Sequence, residues 1–237
     1  MSYGTGLDWT LSEKEGIEQI KAAYALGINV SGFYHTLLFS HYLRQTFDTA
    51  NIYSGGQSEI ILGKAINEIN APRKSFVIMT KLYFPTLENG EMTLGQLMGG
   101  EKADDYGLVN QWGLSRKNIF DSVKASLKRL NLEYIDVLQC HRFDTEVEIP
   151  EVMKALDDVV KSGMVRYIGM SSSWAWQFHA MQSKSSLYFL RLVVFPIQTP
   201  SRLRTRERAD SIHFHAKPLF LALPRRGAGD EPPLRGK

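Results

Sequence analysis

The sequence predicts a (β/α)8 TIM barrel, and three observations point to it. Helical and strand-like hydrophobic patterns alternate four times along the 237 residues, with links as short as Asn131 to Glu133. That alternation is the mark of parallel strands joined by crossover helices. Asp48, Lys81, His141 and Ser171 all fall at or just past the carboxyl ends of predicted strands, where a barrel gathers its reactive groups. No Gly-x-Gly-x-x-Gly follows the first strand, which argues against the doubly wound dinucleotide fold.

The elements follow from local chemistry. Ser12 with Glu15 three residues on is a capping box; Ile17, Ile20 and Tyr24 then recur at helical spacing, and Gly27 stands where a helix ends. Thr46 to Ala50 reads as a short strand. Ser58 is expected to open a second helix with Ile61, Leu62, Ala65, Ile66 and Ile69 on its apolar face, stopped by Pro72. Phe76 to Thr80 is an apolar, β-forming run that ends at Lys81. Residues 85–113 are polar and Gly-rich without a period, too long for an ordinary link, so a functional excursion or lid is expected there. Ser115 caps the next helix (Ile119, Val123, Leu127, Leu130), Tyr134 to Cys140 is a buried strand closed by His141, and a helix from about Pro150 ends at Gly163. Val165 to Met170 is the next strand, followed by three serines.

Composition bounds the class. Hydrophobic residues are 43% and charged residues 22%, which is globular rather than disordered. The net charge of +3 conceals an asymmetry: residues 201–237 hold nine Lys/Arg against four Asp/Glu, leaving the body mildly acidic. A basic tail can touch nucleic acid or anionic lipid, but a solvated end is the simpler reading, so no nucleic-acid partner is expected. The single cysteine, Cys140, excludes an internal disulfide, and no apolar run nears the roughly 18 residues of a membrane span. With no signal region before the first helix, the expectation is a soluble, cytoplasmic protein that does not engage the membrane.

Four motifs in order carry a family resemblance: Phe47-Asp48-Thr49-Ala50-Asn51-Ile52-Tyr53, Glu59-Ile60-Ile61-Leu62-Gly63, Met79-Thr80-Lys81 and Asp136-Val137-Leu138-Gln139-Cys140-His141. Together they resemble the aldo-keto reductases, with Gly113 to His141 most similar to the fungal aryl-alcohol dehydrogenase and potassium-channel β-subunit branches. The resemblance covers residues 1–182. It implies reduction of an aldehyde or ketone to an alcohol, or the reverse, with NADPH/NADP+ as cofactor, a small carbonyl or alcohol as substrate, and no metal. Hydride delivery to a carbonyl needs a proton for the developing alkoxide, and a phenol donates poorly at neutral pH unless a cation favours its ionised form. The resemblance makes Tyr53 the acid, Lys81 that cation, Asp48 the carboxylate holding the lysine, and His141 the group orienting the carbonyl oxygen. It also aligns Ser171 and Ser172 with the segment that binds the nicotinamide carboxamide, where the second residue is often Asn, and Gln198 with a glutamine of the next strand. Trp174 and Trp176 are candidates for the substrate mouth, with packing on the barrel rim as the alternative.

The chain also departs from the family pattern. The first strand is expected to be short or missing, residues 30–45 interrupt the run from Gly27-Ile28-Asn29 to Thr46-Phe47-Asp48, and the last βα units do not follow Gln182. Residues 183–237 are expected to form an atypical basic, poorly ordered tail. The insert opens Val-Ser, codons able to read as a splice donor, and closes on Gln, codable as a splice acceptor; Ser183-Lys184 can likewise encode a donor. A retained intron, followed by a frame-shifting one, accounts for two of the three departures, the insert and the tail; a natural insertion with a divergent tail is the alternative. Missing barrel units would leave sheet edges exposed, inviting association. The competing functional reading is a catalytically inactive binding or regulatory protein, or a truncated product without function.

Overall fold

The computed structural model describes residues 3–4, 10–28, 45–87, 94–98, 100–184 and 193–194. Gln198, nearly all of the insert and almost the whole basic tail lie outside these residues, so the expectations placed on them are not addressed by the structure.

Helix α1 (Glu13–Ala25) begins with the expected capping box: the Ser12 hydroxyl accepts from the Glu15 amide at 3.5 Å while the Glu15 carboxylate accepts from the Ser12 amide at 3.1 Å. Gly27, at φ 69°, ends the helix in the left-handed region where a side chain would be strained. Strand β1 (Gln45–Asp48) takes in the last residue of the insert. Helix α2 (Gln57–Ile69) corrects the sequence expectation at its start. Its cap is Gly56 at φ 87°, whereas Ser58 is buried inside the first turn with its hydroxyl 2.9 Å from that of Thr49. Asn70, also left-handed, ends α2 before Pro72 is reached.

Strand β2 (Phe76–Leu82) is buried along its whole length and runs one residue past Lys81. The excursion that follows is not structureless. Helix α3 (Leu94–Met98) and a 3-10 turn over Ala103–Tyr106 gather a small apolar cluster of their own around Ala103 and Leu108, joined by Leu97 and Trp112. The amide of Gly113 closes the base of the excursion by donating to the Tyr83 carbonyl at 2.7 Å. Helix α4 (Arg116–Leu130) is capped by Ser115 as expected and buries Ile119, Val123 and Leu130. Strand β3 (Ile135–Cys140), helix α5 (Ile149–Lys161, with Pro150 in its first turn) and strand β4 (Val165–Met170) follow. Helix α6 (Ala175–Lys184), which no pattern announced, and the two-residue strand β5 (Val193–Val194) complete the described elements.

All five strands are parallel, and they lie in the sheet in chain order, β1-β2-β3-β4-β5. A doubly wound sheet reverses direction at a switch point; uninterrupted chain order is the winding of a (β/α)8 barrel. Five strands are fewer than the eight of a closed barrel, so the described residues form an incomplete one. The core fills the layer between strands and helices with Phe47, Ile61, Leu62, Ile78, Ile119, Leu138, Leu156 and Ile168. Successive residues along a strand face opposite ways. Thr80 turns outward, its hydroxyl donating to Glu59 of α2 at 2.6 Å, so Lys81 next to it turns inward.

Candidate active site

Register brings the singled-out side chains to one end of the sheet. Lys81 of β2 stands beside Gln139 of β3, which stands beside Gly169 of β4. Asp48 ends β1 on the other side of Lys81. The amides of Thr49 and Asn51 extend that pairing by donating to the Met79 and Lys81 carbonyls at 2.9 and 3.1 Å.

The chain then turns sharply, and the turn presents Tyr53. Ser54 and Gly55 are left-handed (φ 50° and 57°), as is Gly56. A Cβ on Gly56 would also meet the Arg129 Cδ at 2.9 Å. Such a run is costly for residues with side chains and persists where its surroundings fix it. Here Arg129 lies over Gly56 while its Nε donates to the fully buried Glu59 carboxylate at 2.6 Å. Glu59 thereby ties α4, α2 and, through Thr80, the strand that carries Lys81.

Lys81 is 6% exposed. Its ammonium donates to the Asp48 carboxylate at 2.8 Å and to the Thr49 carbonyl at 2.9 Å, and lies 5.2 Å from the centre of the Tyr53 ring. The Tyr53 ring meets that of His141 edge-on at 5.8 Å. The Phe84 ring also meets His141 edge-on, at 5.3 Å, and Asn51 fixes the backbone there by donating to the Phe84 carbonyl at 2.8 Å. Burial first, and then the Lys81 and Arg142 cations, push the His141 imidazole down to about 3, so it is neutral at physiological pH. Its Nδ1 is buried without a hydrogen-bond partner among the described residues. The structure therefore brings Asp48, Tyr53, Lys81 and His141 together.

One strand further, the Ser171 amide donates to the Cys140 carbonyl at 2.9 Å, carrying the β3–β4 pairing one residue beyond Met170. The Ser171 and Ser172 hydroxyls sit 3.5 Å apart, and Ser172 is left-handed at φ 49°. Trp176 packs edge-on against Phe143 at 5.8 Å yet remains 61% exposed, so this aromatic is on the rim rather than in the core. Among the described residues no group of His, Cys, Asp and Glu could hold a metal ion.

Sequence reasoning missed Gln139, whose amide donates to Asp48 at 2.9 Å, along with Thr49, Asn51 and Phe84. One signal for Gln139 was present: it lies two residues before His141 on a strand and so shares its face.

Residues 1–198 match the Aldo/keto reductase family model. The chain belongs to the aldo/keto reductase family. It is 47% identical over 182 residues to an aldo-keto reductase of Fusarium vanettenii, a match covering 75% of this chain and 44% of that protein. It is 46% identical over 189 residues to a provisionally named aryl-alcohol dehydrogenase of Schizosaccharomyces pombe, covering 77% and 49%. To the versiconal hemiacetal acetate reductase of Aspergillus parasiticus it is 42% identical over 185 residues, covering 77% and 48%. The chain thus spans about half the length of the curated relatives it matches. The fold is shared with a thermostable aldo-keto reductase solved with the inhibitor epalrestat, at TM-score 0.54 and 24% identity, covering 78% of this chain and 51% of that one. No helix among the described residues is long and apolar enough to cross a membrane.

Proposed function

We propose that this chain carries the proton-donating side of a nicotinamide-dependent carbonyl reductase, which reduces an aldehyde or ketone to an alcohol or runs the reverse. One observation carries the reading. A buried ammonium, held by a carboxylate, faces the ring of a tyrosine that abuts a neutral histidine. Tyr53 is the acid. Lys81, in its buried site, stabilises the phenolate left when the proton goes to the carbonyl oxygen, and Asp48 fixes the lysine. Neutral His141 offers a ring nitrogen to that oxygen and, being uncharged, does not compete as an acid.

The end of β4 suits the cofactor: the Ser171 and Ser172 hydroxyls stand one strand from His141, at the same end of the sheet, and would hold the nicotinamide carboxamide. NADPH would supply the hydride. The single buried thiol fits a reducing cytoplasmic compartment.

The test is a fluorescence titration of the purified chain with NADPH, paired with turnover of a panel of aromatic and aliphatic aldehydes. Tyr53→Phe is expected to bind NADPH as the parent does while losing roughly 10²–10⁴-fold in turnover. Cofactor binding without turnover in the parent would favour an inactive, regulatory relative instead. No binding at all would show that the family chemistry does not survive in this chain.

A further inference from the structure

We infer that Gln139 is a positioning residue of this site, acting through Asp48. The inference rests on the reading of Asp48, Tyr53, Lys81 and His141 as the active site.

Gln139 is fully buried on the central strand of the sheet, two residues before His141. Its Nε2 donates to Asp48 Oδ1 at 2.9 Å, the same oxygen that accepts from Lys81 at 2.8 Å. Two donors, from β2 and β3, therefore converge on one carboxylate oxygen of β1. The Asp48 side chain is 34% exposed, so water competes for it, whereas the Lys81 side chain is 7% exposed. If Asp48 swung toward solvent, Lys81 would be left with the Thr49 carbonyl as its other acceptor. A fixed donor on the inner side of Asp48 opposes that swing.

The type of donor also matters. A lysine or arginine at 139 would compete with Lys81 for the carboxylate, and a glutamate would repel it; an amide donates without adding charge. The rest of the Gln139 amide is poorly served, since Oε1 is buried with no hydrogen-bond partner among the described residues. A buried, unsatisfied acceptor lowers stability, and an apolar side chain of the same shape would avoid that cost. Packing alone would favour methionine here. Only the bond to Asp48 favours glutamine.

The experiment is reductive methylation of the full chain with labelled formaldehyde, read per lysine by mass spectrometry, with exposed Lys154 as internal reference. Parent, Gln139→Met and Asp48→Asn are compared, together with their melting temperatures. Gln139→Met is expected to raise the Lys81 rate relative to Lys154 by about fivefold, the factor that one net hydrogen bond is worth, with no fall in melting temperature. Asp48→Asn is expected to raise it further. An unchanged Lys81 rate in Gln139→Met, alongside a raised rate in Asp48→Asn, would overturn the positioning role and leave the site reading standing. No change in either variant would overturn the Asp48–Lys81 pairing itself. A lower melting temperature, with labelling raised at every lysine alike, would assign Gln139 to packing and sink the inference.

Discussion

The ends of β2 and β4 lie at the same end of one sheet, yet they are held very differently. At β2, Lys81 is bound to the strand before it, flanked by Gln139 of the strand after it, and backed by the Thr80–Glu59–Arg129 tie from two helices. At β4, the serines that would face the cofactor are joined to each other at 3.5 Å, and one of them sits in a backbone conformation that suits Asn or Gly better. The difference teaches where precision resides. The groups proposed to handle the proton are fixed by contacts from several elements at once, and the β4 end depends on local backbone geometry.

Breaking the tight side should have the largest effect. In Glu59→Ala, Arg129 loses its buried partner and Thr80 its acceptor, and a loss of about 3–5 kcal/mol is expected in urea unfolding. Ser171→Ala at the loose side is expected to cost about 1 kcal/mol or less by the same measurement. Equal losses would erase the contrast.

Acid should weaken the tight side next. The folded state favours neutral His141, so the unfolded chain takes up the proton first as pH falls. Stability from this group is complete above the ordinary histidine value of about 6.5 and is lost progressively as pH falls toward about 3. Urea midpoints at pH 7 and pH 4.5 should therefore differ more in the parent than in His141→Gln. An undiminished difference in the variant would place the acid sensitivity elsewhere.

Sharpening the loose side should give a small gain. Ser172→Asn relieves the left-handed backbone and is expected to add about 0.5 kcal/mol. A loss in thermal melting would mean that the serine hydroxyl has a partner the asparagine cannot serve.

The smallest effect is expected from deleting residues 30–45, the segment that the sequence leads one to expect as an insertion. Its last residue, Gln45, opens β1 and donates its side-chain amide to the Tyr24 carbonyl of α1 at 2.9 Å. Joining Asn29 to Thr46 shortens the connection between α1 and β1 but removes the Gln45 bond; the two effects oppose each other, so stability should change by no more than about 0.3 kcal/mol in urea unfolding. Loss of the Lys81 protection described above would show that the segment belongs to the fold.

What the sequence made legible was whatever sits in a local pattern. The capping box at Ser12, the cap at Ser115, the apolar faces of α1, α2 and α4, and the strand ends bearing Lys81 and His141 all rest on spacings of a few residues. Ser58 misled because a serine before an apolar run reads as a cap, and only the neighbouring Thr49 hydroxyl shows why it is buried instead. Residues 85–113 showed no period, and so read only as an excursion or lid, because their apolar cluster joins side chains without a common spacing. The contacts that define the candidate site were least legible of all. Gln139 reaches Asp48 across 91 positions, and Arg129 reaches Glu59 across 70, so neither pair leaves a trace in a window of sequence.

Cys140 offers a different use of the same architecture. It is the chain's single thiol, sealed in β3 beside His141, with its ionisation pushed up to about 12, first by burial and then by the Asp144 carboxylate. Alkylating reagents attack the thiolate, so in the intact sheet they have almost nothing to attack. The rate at which Cys140 is modified therefore clocks how often the strands around the site part, in a protein that needs no engineered label to be timed.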